Sequence, residues 1–353
     1  MSNNSRTFLS NVAIIRPILI VLMVFYHAFA VYGGGWKPLE GFPEVKAYWW
    51  LDWLSYAFML EMFVFLSGYV FGFQVRTKGE KKLESRSLFW GKFRRLIIPS
   101  IVFSLLYIVL LQDISQSLLK TLYDLIVGVA HMWFLPMLFL CFAGVWIIEK
   151  LKLRSRHVIP LLLLCSLCSF PSLPLRIGYA MYYLLFFYVG YIMQRKNVDL
   201  DRFCTPLWIF GFAISFIIIF PPLTLFMKNV KEILISVGVE NQYALKMMKY
   251  FLSNVAQILY SSVGLSALFL AVGYIEKKRT SALPQWFVNV GVLCMGVYIF
   301  QQFILKVLYN HSNLPSILGP YWLPWVGFIA ALSFSLLLSY LLRKLRVGRF
   351  LIG

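Results

Sequence analysis

The sequence contains few charged residues, and acidic residues are the scarcest of them. Only 13% of its 353 residues are charged, while 60% are hydrophobic. Soluble domains have about 25% charged and about 45–50% apolar residues. This composition therefore excludes an ordinary soluble domain and indicates an integral membrane protein. The few charges are strongly biased, because 33 Lys and Arg residues stand against 14 Asp and Glu residues.

The resulting net charge of +19 would suit a nucleic-acid partner, but its distribution does not. Basic residues cluster between apolar runs, where they act as topology signals, instead of forming one continuous stripe. We therefore expect a lipid bilayer around the protein and no nucleic-acid partner.

Residues that bind metals or form disulfides are also few, with five cysteines and four histidines. Cys165 and Cys168 form a C-x-x-C pair, but no second pair or nearby histidine cluster completes a metal site. We expect the cysteines to be small buried apolar residues. The sequence predicts no metal site and indicates no prosthetic cofactor.

Apolar runs fill most of the chain, and ten can be counted. Most of the basic residues lie at the N-terminus and in alternate connections, which predicts that both termini are cytoplasmic. The fold class is thus an all-α bundle of about ten transmembrane helices, with one transmembrane domain over 1–353. The fifth run is short and could be half-buried or re-entrant. The runs are 12–32, 49–74, 96–112, 132–149, 158–171, 178–194, 206–222, 251–275, 286–308 and 321–342.

Two connections have distinct patterns. Leucines recur on one face of 114–128, together with Ile114, which predicts a helix lying on the membrane surface. The segment 223–250 is predicted to be the longest external connection.

The first apolar run contains an arginine and a histidine, Arg16 and His27. Eleven residues at about 100° each place both side chains on one helix face, about 16 Å apart along the axis. An intramembrane arginine costs at least about 2.5 kcal/mol, so it usually marks a site. The pair suits an elongated ligand that is held by charge at Arg16 and reacts at His27, whose imidazole could accept a hydroxyl proton. The alternatives are a snorkelling arginine and a helix–helix hydrogen bond from the histidine.

Two carboxylates lie in the second run. Glu61 is near mid-membrane, where an ionised carboxylate needs a partner, and Asp52 is about level with His27. Either could orient a protonated histidine. Glu61 is the stronger catalytic candidate because its burial costs more, and the alternative is a purely structural pairing. Asp52 is a candidate for the acceptor side.

Other candidates lie at the ends of the runs. Arg94 and Arg95 could clamp phosphates at the mouth of the third run, or could serve topology alone. His131 and Trp133 open the fourth run and are either interfacial residues or part of the site. The Ser67-Gly68 pair is expected to allow close helix packing.

The motifs around these residues resemble those of the acyltransferase-3 family of bacterial membrane O-acyltransferases. The resemblance runs from about residue 8 to about 342 and includes the family's ten-helix count. The segments are Arg16-x10-His27, FVFLSGY at 63–69, similar to F-F-x-x-S-G, FRRLIIP at 93–99, similar to R-R-x-x-x-x-P, His131-x-Trp-Phe-Leu, FFYVGYI at 186–192, and GVYIFQQFI at 296–304, similar to I-Y-x-x-H.

Two positions depart from the family pattern. Gln301 stands where many relatives have a histidine in the late segment, and Met59 replaces a histidine found in one branch. The resemblance implies acceptor-side roles for Tyr298 and for Gln301. It also implies that chemistry occurs in the membrane bundle, without an appended soluble domain.

The resemblance implies transfer of an acyl group, most often acetyl from acetyl-CoA, to a hydroxyl of a cell-envelope or secreted glycan. The expected partners are the acyl-CoA donor, bound by Arg16, Arg94 and Arg95, the glycan acceptor and the bilayer of the bacterial cytoplasmic membrane. His27 would act as a general base or be transiently acylated. The alternative class is a transporter of glycan intermediates or small anions, with Arg16, Glu61 and His27 as coupling sites.

Overall fold

The computed structural model describes residues 9–111 and 117–353, and all regular structure in these ranges is helical. Fourteen α-helices follow one another within them, several joined end to end by a turn of 3₁₀- or π-helix. They are α1 (Ser10–Gly33), α2 (Lys46–Tyr56), α3 (Met59–Lys78), α4 (Ser85–Lys92), α5 (Ile98–Leu111), α6 (Leu118–Val127), α7 (Phe134–Lys150), α8 (Ser155–Leu167), α9 (Ile177–Arg195), α10 (Pro206–Ser236), α11 (Gln242–Lys278), α12 (Gln285–Asn310), α13 (Leu314–Lys344) and α14 (Arg346–Ile352).

Nine helical segments of the described chain are long and apolar enough to cross a membrane. Helices α2 and α3 together form one of them, as do α4 and α5. The protein is therefore an integral membrane helical bundle, as the composition predicts. The fifth predicted run, 158–171, overlaps α8, whose 13 residues span about 20 Å, short of the roughly 30 Å hydrocarbon core. A cytoplasmic location of both termini stays a prediction.

The early end of α8 has a specific polar partner. A helix that ends inside a bundle leaves carbonyl groups without partners, which is costly in a membrane. The side-chain amide of Asn254 on α11 donates to the carbonyl oxygens of Ser166, Leu167 and Ser169, at 3.2, 3.1 and 3.1 Å. One side chain therefore stabilises the end of the short helix.

Helices α3 and α9 pack with their backbones in contact. A Cβ atom added at Gly68 would lie 1.9 Å from the carbonyl oxygen of Phe187, and one at Gly190 would lie 2.2 Å from that of Phe65. Gly72, one turn after Gly68, approaches α9 in the same way. The Ser-Gly motif on α3 and the Gly-Tyr motif on α9 thus form one small-residue interface, and the predicted packing role is confirmed.

Most of the segment 223–250, predicted as the longest external connection, is helical. Helix α10 continues to Ser236, and α11 begins at Gln242. Their 31 and 37 residues span about 46 and 55 Å, well beyond the hydrocarbon core. Val230 and Leu234 stay buried, so packing continues where hydropathy falls. Asn241 caps α11 by accepting from the backbone N–H groups of residues 243 and 244.

Helix α6 lies where a surface helix was predicted. It exposes Leu118, Leu119 and Ile126, and Ser117 caps its first turn by accepting from the N–H of Lys120 at 3.4 Å. Placement of this apolar face in the membrane surface stays a prediction. Ile114, the first residue of the predicted apolar face, lies outside the described residues.

The cysteine prediction is right for three residues and wrong for one. Cys141, Cys204 and Cys294 are buried, whereas Cys168 is exposed. Cys168 follows α8 directly, where the chain has left the helix, so the helical pattern no longer turns it inward.

Candidate active site

A cavity of about 370 Å³ lies between α1, the start of α7, and α12. Its volume falls in the lower part of the range for small-molecule sites. No carboxylate lines it within the described ranges, so its polar character comes from neutral and basic groups. The side chains that matter most for its chemistry are His27, Trp36, His131, Tyr298, Gln302 and Lys306.

His27 is the lining residue with an uncommitted ring nitrogen. Its Nδ1 atom is buried and has no hydrogen-bond partner within the described chain. The ring centroid lies 6.2 Å from that of His131 and 6.2 Å from that of Trp36. A histidine that serves packing is usually hydrogen-bonded, since a buried polar atom without a partner is costly. His27 also lines the cavity, so its ring can meet a molecule bound there.

His131, in contrast, is held by neighbours on every side. Its backbone N–H donates to Oε1 of Gln302 at 3.2 Å, and its Nδ1 contacts the same amide oxygen. Its Nε2 atom donates to the carbonyl oxygen of Ile299 at 2.9 Å. The hydroxyl of Tyr298 donates to the carbonyl oxygen of His131 at 2.6 Å. His131 thus forms a fixed wall of the cavity.

The chain around His131 adopts an unusual backbone conformation. Ala130 has φ of 48°, in the left-handed region that residues with a Cβ rarely adopt. Serines of α5 hold this turn: Oγ of Ser104 accepts from the N–H of Val129 at 3.1 Å, and Oγ of Ser100 donates to the carbonyl of Met132 at 3.4 Å. The sequence places His131 at the start of a transmembrane run, but only tertiary contacts turn it into the cavity.

Lys306 and Trp36 lie where the cavity meets a second one. The Nζ atom of Lys306 is 3.9 Å from the centroid of the Trp36 ring. Both residues also line the second cavity, of about 280 Å³, together with Lys37, Glu40 and Asn310. The sequence analysis missed Lys306 and Gln302, although a signal exists. Tyr298, Gln302 and Lys306 recur every four residues, which places them on one face of α12.

The structure brings together four of the predicted residues in this cavity: His27, His131, Trp133 and Tyr298. It does not bring Gln301 there. Gln301 is fully buried, and neither its Oε1 nor its Nε2 atom has a partner in the described chain. The next residue, Gln302, lines the cavity instead.

Neither predicted carboxylate hydrogen-bonds to His27 in the part of the chain that the structure covers. Oε1 of Glu61 accepts from the hydroxyl of Tyr182 at 3.2 Å and from Nε2 of Gln257 at 2.8 Å, between α3, α9 and α11. Asp52 is buried against the backbone of Gly33, where an added Cβ would lie 1.7 Å from its Oδ2 atom. The structure gives no support to the predicted orienting role of either residue.

At the other end of α1, Arg16 is exposed and lies in a basic region. The charges of Arg16, Arg95 and Lys82 all act on Lys92 of α4, whose Nζ atom lies 3.7 Å from the centroid of the Phe142 ring. Arg94 points elsewhere, with its guanidinium carbon 5.9 Å from the centroid of the Phe350 ring. The structure therefore groups two of the three predicted donor-binding arginines.

A turn of π-helix at Phe93–Ile97 precedes Pro99 and presents these arginines. Pro99 has no N–H, so the carbonyl of Arg95 cannot accept the usual bond from four residues later. A wider turn accommodates this loss, and such π-turns often occur at functional sites. The R-R-x-x-x-P spacing of this chain thus has a structural reason for its proline as well as a chemical one for its arginines.

A family model described as an acyltransferase domain matches residues 10–344 of this chain. The chain belongs to the acyltransferase-3 family. It is accordingly a multi-pass membrane O-acyltransferase that uses an acyl donor and a hydroxyl-bearing acceptor. Membership of this family favours an enzyme over the transporter alternative. Comparisons with curated proteins and with solved structures find no match.

Proposed function

We propose that this acyltransferase moves an acetyl group from acetyl-CoA to a hydroxyl of a cell-envelope or extracellular polysaccharide, or of its precursor, in the bacterial cytoplasmic membrane. The observation that carries the proposal is that the ring of His27 lines a polar cavity in which no carboxylate of the described chain pairs with it. Arg16 supports it from the other end of the same helix face.

The arrangement of α1 suits a long donor with phosphates at one end and a thioester at the other. Arg16 is about 16 Å from His27 along the axis, and Lys92 and Arg95 add positive charge beside it. Guanidinium groups bind phosphates through paired, charge-assisted hydrogen bonds. Acetyl-CoA is therefore a co-substrate that enters at the basic end, and the proposal requires no prosthetic cofactor.

The chemistry assigned to His27 is general base catalysis. Its ring accepts the proton of the acceptor hydroxyl while the hydroxyl oxygen attacks the thioester carbonyl carbon. The carbon–sulfur bond then breaks, and the departing CoA thiolate takes the proton from the imidazolium. The products are an acetyl ester and CoA, and His27 returns to its starting state.

Transient acylation of His27 is the other route that the sequence analysis leaves open. It would leave an acetyl group on the protein when acetyl-CoA is supplied without an acceptor. Intact-protein mass spectrometry after rapid quenching separates the routes, because the general-base route produces no acetylated protein.

Donor binding by Arg16 provides the test of this function. Arg16→Ala should weaken acetyl-CoA binding by about 10–150-fold, since it removes a charge-assisted contact of roughly 1.5–3 kcal/mol. Arg16→Lys should recover part of the affinity, because charge is kept while the bidentate fork is lost. Calorimetric titration of purified protein in detergent gives the answer, with exposed Arg154→Ala as the matched control.

No binding of any acyl-CoA by the wild-type protein at millimolar concentration would contradict the acetyl-CoA mechanism. The acceptor is tested separately, by mass spectrometry of the surface glycans of the host with and without this protein. Loss of O-acetyl groups is the expected result, and an unchanged acetylation pattern would contradict a glycan acceptor.

A further inference from the structure

Lys306 is a cation inside the bundle that the mechanism above does not use. It lies on α12, is half-buried, and its ammonium rests on the face of Trp36. In residues 9–111 and 117–353, no carboxylate lies within salt-bridge distance of it. Intramembrane lysines usually face a partner or a water-filled cavity and mark a site. Lys306 faces two cavities.

The charge around Lys306 is unbalanced. The cavity that contains His27, called the inner cavity below, has no acidic lining residue in the described chain, and Lys306 is its one formally charged lining residue. The second cavity, called the outer cavity below, is also lined by one further lysine, Lys37, and by one acidic residue, Glu40. A negative group bound where the two cavities meet would therefore contact the ammonium of Lys306. No carboxylate of the described chain lines the inner cavity to repel it.

A negative group bound at Lys306 would lie far from the phosphates of the donor. Arg16 lies about 16 Å along α1 from His27, whereas Trp36 and Lys37 lie just beyond the opposite end of that helix. An elongated donor held at Arg16 reaches His27 with its thioester, and the junction at Lys306 lies on the side left for the acceptor.

Building on the proposed function, we infer that Lys306 and Trp36 bind an anionic sugar, so that the natural acceptor carries a carboxylate or phosphate near the hydroxyl that is acetylated. The ammonium of Lys306 pairs with the anion. Trp36 lines both cavities and offers an aromatic surface on which the apolar face of a sugar ring packs. A charge-assisted contact of this kind selects an acidic acceptor over a neutral one.

The test compares matched neutral and acidic acceptors. Purified protein in detergent is supplied with acetyl-CoA and with cellobiose or cellobiuronic acid, in which a carboxylate replaces one C6 hydroxymethyl group. Acetyl transfer to the hydroxyls that both sugars share is followed by mass spectrometry. The wild type should show a KM about 10–100-fold lower for the acidic sugar. Lys306→Met should remove most of this preference by raising KM, with kcat little changed, and Lys306→Arg should retain it.

Lys228→Met is the control. Lys228 also rests on a tryptophan, with its Nζ atom 4.8 Å from the centroid of the Trp49 ring, but it is exposed and lines neither cavity. Its substitution should leave both KM values unchanged. If Lys306→Met lowers protein yield, Lys306→Arg and the wild-type preference still decide the question.

The outcomes separate this inference from the proposed function. Equal or better use of the neutral sugar by the wild type, or a Lys306→Met variant that keeps the acidic preference, would overturn the acceptor inference and leave acetyl transfer intact. Loss of kcat with unchanged KM would overturn it too, by showing that Lys306 serves the chemical step. Failure to bind or cleave acetyl-CoA at all would instead overturn the proposed function, and this inference with it.

Discussion

His27 and Glu61 are both polar residues inside the bundle, but their surroundings differ. His27 is half-exposed to a cavity, and its Nδ1 atom has no partner within the described chain. Glu61 is fully buried and does not line that cavity. Its Oε1 atom accepts hydrogen bonds from Tyr182 and Gln257, while its Oε2 atom, like Nδ1 of His27, has no partner within the described chain. The cost of burial draws attention to both residues. The free-energy cost of burying a polar side chain therefore identifies an important position. Only contact with the cavity identifies a side chain that can react with a bound substrate.

The largest effect on rate is expected from His27→Gln. Removing a general base typically lowers the rate by about 10²–10⁴-fold, and the substitution keeps the residue polar. Acetyl transfer by purified protein at equal concentration measures it. His157→Gln, at an exposed position in the first turn of α8, is the control and should leave the rate unchanged. A loss smaller than about tenfold in His27→Gln would remove His27 from the mechanism.

A smaller effect is expected from Gln302→Leu, which releases the backbone and ring of His131. Losing a buried hydrogen-bond partner costs about 1–3 kcal/mol. If this cost falls on the transition state, the rate of acetyl transfer decreases roughly 5–150-fold. The adjacent Gln301→Leu is a matched control, because Gln301 is buried without a partner among the residues that the structure describes and should tolerate an apolar side chain. A greater loss of kcat in Gln301→Leu would show that the acceptor-side role predicted for Gln301 is right.

Glu61→Gln should lower stability more than catalysis. Rearranging the contacts with Tyr182 and Gln257 is expected to cost about 1–3 kcal/mol of the free energy of unfolding, while the rate per folded molecule changes less than about tenfold. Thermal unfolding and acetyl transfer, measured on the same preparation, separate the two effects. A rate loss as large as that of His27→Gln would restore the catalytic role predicted for Glu61.

The smallest effect on the rate per folded molecule is expected from Gly68→Ala. Gly68 lies in the interface between α3, which also carries Glu61, and α9. An added Cβ 1.9 Å from a carbonyl oxygen forces the helices apart and should lower stability by about 1–3 kcal/mol. Gly211→Ala on α10 is the control, since no atom of another element lies within 4 Å of the added Cβ. Equal melting temperatures for the two variants would show that the α3–α9 contact does not limit stability.

Much of the fold could be predicted, because long apolar runs and basic connections are properties of local sequence. The missed features depend on contacts between distant segments. Val230 and Leu234 extend α10 beyond its apolar run by packing against a neighbour, which hydropathy does not register. The end of α8 depends on Asn254, nearly ninety residues later, which no local pattern connects to it.

The candidate site was partly predictable for a similar reason. His27, His131 and Tyr298 carry recognisable motifs, and the structure places all three in one cavity. Gln302, and not Gln301, lines the cavity, and the four-residue spacing from Tyr298 indicates this difference of helix face. The hydrogen bonds of Glu61 to α9 and α11 could not be predicted from sequence, because they join segments far apart in the chain.

The most direct measurement is a structure of the protein with a non-hydrolysable acetyl-CoA analogue. The account predicts that the acetyl carbonyl lies in the cavity beside the ring of His27, with the phosphates near Arg16, Lys92 and Arg95. An analogue whose acetyl group lies beside Glu61, or whose phosphates lie at Lys306, would contradict it.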